Sequence, residues 1–114
     1  MMPASSPRDQ IPPGTLDMLI LKTLARGHEL HGFELADAIQ RSSANVLRVE
    51  EGSLYPALQR MLIKGWIVGE WRKTEENRRA RYYMLTKSGR GQLRREISAY
   101  QRVAQAISLI LDVA

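Results

Sequence analysis

Apolar residues recur at two periods along this chain, and the switches between them outline its elements. Leu16, Leu19, Ile20 and Leu24 fall at i, i+3, i+4 and i+8, which predicts a helix behind Pro12-Pro13-Gly14 with Thr15 as its cap. Met18 and Leu21 widen that stripe so far that burial on more than one side is expected, the second side being met by a partner subunit. Gly27 breaks the pattern, and a second helix, from about His31 or Gly32 to Ser42, directs Phe33, Leu35, Ala36 and Ile39 toward the core. A third starts at Glu50-Glu51-Gly52-Ser53, with Ser53 read as the capping residue and Pro56 early enough to cost no hydrogen bond. Leu54, Leu58, Met61 and Leu62 supply its buried stripe, and Gly65 closes it. Residues 66–71 and 79–85 then read as two β segments around a polar turn, 72–78.

From Thr86 the helical period returns. Leu93, Ile97, Tyr100, Ala104, Ile107 and Leu111 repeat with spacings of 4, 3, 4, 3 and 4, a heptad seam. So small a domain has little surface left to receive a long helix, so the seam predicts a homodimer in which Leu16 and Leu19 share the interface. Gly91, inside that helix, is expected to bend or loosen it.

The chain has 114 residues, room for one domain at roughly 100 to 200 residues each. It contains no cysteine, so disulfides, thiolate catalysis and Cys-ligated zinc are excluded; self-association is the leading substitute for such staples. Residues 1–10 carry Pro3, Ser5, Ser6 and Pro7 with no apolar run, and read as a disordered lead-in rather than a signal peptide. The longest uncharged apolar stretch, 103–111, is about half the ~20 residues a membrane span needs. A soluble, cytoplasmic protein is expected. The formal charge is +5, and it is unevenly placed: residues 1–39 are net acidic, whereas basic residues dominate from 40 onward. That favours a polyanionic partner.

Three helices, a hairpin with a basic tip and a long seam helix make a mainly α chain with a small β-hairpin. That is the order of a winged helix-turn-helix (residues 11–85) followed by a C-terminal dimerisation helix (86–114). Double-stranded DNA is the expected partner. Ser53, Tyr55 and Gln59 on the third helix are positioned for phosphates or base edges, and Arg60 and Lys64 for the backbone. Arg72, Lys73, Arg78 and Arg79, with Arg81, form the basic wing, unless Glu75 and Glu76 neutralise it. The competing reading is a winged-helix module that binds protein and does not read DNA sequence. His28 and His31, beside Glu29 and Glu34, suit structural roles better than a metal site, and neither a nucleophile elbow nor a phosphate loop is present. No enzyme, cofactor or metal is expected.

Pro13-Gly14-Thr15-Leu16-Asp17, His31-Gly32-Phe33, Glu50-Glu51-Gly52-Ser53-Leu54-Tyr55-Pro56-Ala57-Leu58, Gly65-Trp66-Ile67 and Asn77-Arg78-Arg79-Ala80-Arg81-Tyr82-Tyr83, completed by Leu85-Thr86 and Gly89, resemble the PadR family of bacterial transcriptional regulators. The resemblance spans most of the chain, and Gly52-Ser53-Leu54-Tyr55-Pro56 is its most specific part. It implies a winged-helix homodimer that represses transcription from a palindromic operator. Ending after one seam helix, the chain resembles the short-tailed members. In those that bind ligands, a flat aromatic effector sits between the subunits, against the first and last helices. Tyr100 is the only aromatic on the last helix here, and a plain seam role outweighs a ligand-wall role for it. The apolar run Met61-Leu62-Ile63 and Gly91 depart from the more polar pattern of many members.

Overall fold

In a computed structural model, which describes residues 9–112, nine elements follow in order: β1 (Asp9–Gln10), α1 (Leu16–Gly27), β2 (Glu29–His31), α2 (Gly32–Ser42), β3 (Leu47–Arg48), α3 (Glu51–Lys64), β4 (Ile67–Lys73), β5 (Arg79–Leu85) and α4 (Lys87–Leu111). The helices pack around Ile20, Leu21, Leu24, Leu35, Leu54, Leu58 and Met61, with Ile67 of the hairpin closing the core. Met18 and Leu21, which broadened the predicted stripe of α1, are consumed by the chain's own core. Leu16 and Leu19 are only partly buried against it.

The caps of α1 and α3 differ from the expectation, while α2 starts where expected, on a histidine cap. Thr15 holds the N-cap position of α1, but its hydroxyl donates back to the Pro12 carbonyl at 2.8 Å rather than accepting from the helix. At α2 the cap is His31: its Nδ1 accepts the Glu34 N–H at 3.4 Å, while the Glu34 carboxylate accepts the His31 N–H at 3.1 Å, a reciprocal capping box. Starting there, α2 turns Leu35 and Ile39 inward, and Phe33, two residues and about 200° earlier on the helical wheel, points away from them. Phe33 is 75% exposed and not a core residue.

The third helix begins at Glu51 behind Glu50, so Ser53 lies inside its first turn and caps nothing. Pro56 is consequently its sixth residue, and it deprives the Gly52 carbonyl of an i+4 donor. The loss falls on an exposed turn that water reaches. Gly65, at φ 78°, closes α3: its N–H bonds the Leu62 carbonyl, and the Trp66 N–H bonds that of Met61.

Strands β2, β5 and β4 form an antiparallel sheet in that spatial order, with Tyr82 of β5 opposite both His31 and Glu70. The short β1 and β3 pair in parallel through Asp9–Leu47 and Gln10–Arg48. Asp9 and Gln10, which fall within the expected lead-in, form a strand; residues 1–8 of that expectation lie outside the described region. At the base of the hairpin the Thr86 hydroxyl accepts the Gly89 N–H at 3.0 Å and starts α4. Helix α4 runs through Gly91 without interruption. Leu93 is buried in the chain's own core and Ile97 is half-buried against it, so the first third of the predicted seam is spent within one subunit. Beyond it, Tyr100, Val103, Ile107, Leu109, Ile110 and Leu111 are exposed.

Candidate nucleic-acid interface

Ser53 and Gln59 stand exposed on α3, and Tyr55, about half exposed, leans from the same helix toward α2. The Tyr55 hydroxyl reaches Gly32, where a Cβ would lie only 2.5 Å from it. Two other expected contacts on this helix are engaged elsewhere. Arg60 Nη2 is 3.0 Å from Asp17 Oδ1 in the first turn of α1, and Lys64 Nζ lies 4.8 Å from the centre of the Trp66 ring, at the opposite end of the helix from Ser53.

The hairpin sorts its basic residues by face, because alternate positions along a strand point to opposite sides. Trp71 pairs with Arg81 and Lys73 with Arg79, on the face that carries the buried Ile67 and Tyr83 nearer the base. Arg72 lies on the other face. There it approaches Glu29 at 2.6 Å and Glu70 at 3.3 Å and covers the Tyr82 ring at 4.6 Å. The Glu29 hydrogen bond raises the Arg72 guanidinium still further above its usual range, against some desolvation. On that face Arg72 is ion-paired with Glu29 and Glu70, on the opposite side of the hairpin from Lys73 and Arg79.

The wing tip is stiff. Thr74 donates its N–H to the Arg78 carbonyl at 2.7 Å, its hydroxyl accepts the N–H groups of Glu76 and Arg78, and Asn77 takes a left-handed φ of 64°. Arg78 and Arg79 are exposed beside it. Glu75 and Glu76 form no ion pair among the described residues, so the tip is not self-neutralised by internal pairing.

Between the wing, the start of α2 and Tyr55 runs an open groove of about 1000 Å³, whose wall includes Phe33, Trp71, Arg78, Arg79 and Arg81. Arg79 and Arg81 place their guanidinium carbons 5.0 and 5.8 Å from the Trp71 ring centre. The Arg81 Nε is buried with no hydrogen-bond partner, set against Gly69. Tyr83 closes the groove floor: burial pushes its phenol up, Arg81 opposes this and Tyr55 adds to it. Phe33 and Trp71 were absent from the expected contacts. Phe33 carried a sequence signal only as an apolar helix residue and as part of His31-Gly32-Phe33, and Trp71 only as a strand residue.

A second cleft, about 530 Å³, separates α1 from α4 and is lined by Leu16, Asp17, Arg60, Glu96, Tyr100 and Val103 among others. Leu19 turns instead toward a groove shared with α2, away from Leu16 and Tyr100. No described helix is long and apolar enough to cross a membrane.

A model of the transcriptional regulator PadR-like family matches residues 20–95. The chain is similar to a solved PadR-like transcriptional regulator from Bacillus cereus, 27% identical, over 89% of this chain and 95% of that one, with a TM-score of 0.72. A PadR family transcription regulator from Clostridium difficile is 26% identical over 86% and 99% of the two chains, also with a TM-score of 0.72. A transcriptional regulator from Clostridium thermocellum, 23% identical, shares the fold with a TM-score of 0.76 over 83% of this chain and 91% of its own.

Proposed function

The chain belongs to the PadR-like family of transcriptional regulators, and from that premise we propose that it is a cytoplasmic homodimeric repressor that binds a palindromic operator. The observation that carries this reading is the pairing of an exposed N-terminal face on α3 with a stiff wing whose Arg78 and Arg79 have no ion-pair partner among the described residues. Ser53, Tyr55 and Gln59 enter the major groove, where base edges carry sequence information. Lys73, Arg78 and Arg79 hold the flanking phosphates, which position the protein and dominate its affinity. Arg60, Lys64, Arg72 and Arg81 support this surface from within rather than leading it.

Residues 11–85 act as the DNA-binding unit and 86–114 as the dimerisation helix, with Leu93 and Ile97 belonging functionally to the former. Exposed apolar residues from Tyr100 to Leu111 support the dimer, since a helix face of that kind is ordinarily covered. Ala104, on the same seam, lets two such helices approach closely. Leu16 and Tyr100, which both line the α1–α4 cleft, are where a small aromatic effector would act.

The test is selection from random duplex DNA with the purified protein at about 150 mM salt, where phosphate binding alone is weakened. An inverted repeat with half-site centres about 34 Å apart is expected from one symmetric dimer. A folded dimer that enriches no sequence overturns the reading and favours a protein-binding winged helix.

A further inference from the structure

We propose that Phe33 and Trp71 form an aromatic clamp that grips one sugar–phosphate strand of the bound duplex in the groove between the wing and the start of α2. The inference deepens the DNA-binding reading and rests on it. Phe33 is 75% and Trp71 55% exposed, although both are large aromatic residues in well-formed elements. They come from segments about forty positions apart in the chain, yet both line one groove, together with Tyr55 of α3. Neither is needed by the core.

Chemistry fixes the occupant. Trp71 is flanked by Arg79 and Arg81 at cation–π distance, so one groove holds two exposed aromatic rings and guanidinium groups. A sugar–phosphate strand has the matching groups: deoxyribose presents C–H faces to the rings, and each phosphate presents oxygens to the cations. Arg81, 5.8 Å from the Trp71 ring centre, adds its positive charge to that wall. The groove is also continuous with the exposed face of α3 through Tyr55, so a strand crossing it stays in contact with the helix that reads the major groove.

Acidic groups bound the path. Glu34 spends its carboxylate on the His31 N–H at the α2 cap, while Glu75 and Glu76 stand exposed at the wing tip beside Arg78. They fence the outer end of the groove and leave the phosphates to Arg78 and Arg79.

A clamp on sugar and phosphate carries no sequence information, and this separates it from the contacts of α3. In a Trp66→Phe background, Trp71 is the sole tryptophan. Titration with the selected operator duplex is expected to quench its emission in step with the anisotropy of labelled DNA. Phe33→Ala and Trp71→Ala are each expected to weaken binding about three- to tenfold, by the same factor for the selected and a scrambled duplex, and Trp71→Phe to retain most of it. If the duplex binds while Trp71 emission stays fixed, the clamp is wrong and the DNA-binding reading stands. A Trp71→Ala loss confined to the selected sequence would also overturn it, by making Trp71 a reader of bases. If no duplex binds the wild-type protein, the premise itself fails, and the clamp with it.

Discussion

The hydroxyl of Tyr55 occupies the space that a side chain at Gly32 would enter: a Cβ there would lie 2.5 Å from the oxygen and 2.9 Å from two ring carbons. Helix α3 is thereby seated on the first residue of α2. Because the contact is made by the half-exposed end of a side chain, Tyr55 can swing outward if it is displaced. Gly32→Ala is therefore expected to leave the unfolding midpoint nearly unchanged while lowering operator affinity. In a double-mutant cycle with Tyr55→Ala, the two losses should fall well short of additive, as expected for groups in contact. Full additivity would show that Gly32 acts independently of Tyr55.

Two glycines of α4 predict opposite outcomes from the same substitution. At Gly89 an added Cβ would sit 2.0 Å from the Trp66 carbonyl oxygen, a backbone atom that cannot step aside. Gly89→Ala is expected to destabilise by about 1–3 kcal/mol or more, as overpacked sites do. Around Gly91 the nearest atoms are arginine tips at 3.6 and 3.8 Å, and the helix passes through unbroken. Gly91→Ala should stabilise by up to about 1 kcal/mol through helix propensity. Urea midpoints of the two variants check both signs.

The division of the α4 seam is open to a similar contrast. Leu93 belongs to the chain's own core, whereas Ile107, four turns on, is about half exposed. Leu93→Ala is expected to cost about 2–5 kcal/mol at any protein concentration. Ile107→Asp should instead yield folded monomers, since its charge is costly only if a partner subunit buries it. Sedimentation velocity with circular dichroism separates these results; a folded Ile107→Asp dimer would remove the seam.

How much of this was legible beforehand follows from element length. Every helix, and the hairpin, declared itself through periodicity sustained over two or more turns or a full strand. Strands β1, β2 and β3, at two or three residues each, are too short to show any alternation. Phe33 is apolar and yet lies about 200° from Leu35 on the helical wheel, so its residue type suggests the core while its spacing does not. Arg72 and Arg79 look equivalent in the sequence. Only the strand register, with β4 extending to Lys73 and the turn confined to 74–78, sends them to opposite faces. Partners distant in sequence, such as Asp17 for Arg60, have no local signal at all.

That sorting of arginines gives the sharpest electrostatic prediction. Each phosphate contact adds about −0.9 to the slope of log K against log salt concentration. Arg78→Ala with Arg79→Ala should flatten the slope by about 0.9 for every contact removed from each subunit. Arg72→Ala, which deletes a cation already paired with Glu29 and Glu70, should leave the slope as it was although it too removes a positive charge. Glu75→Gln with Glu76→Gln removes the fence at the wing tip and is expected to raise affinity for every duplex, most at low salt, where screening is weakest. A flattening by Arg72→Ala half as large as that of the Arg78/Arg79 pair would mean that net charge alone, and not the face on which each arginine lies, governs binding.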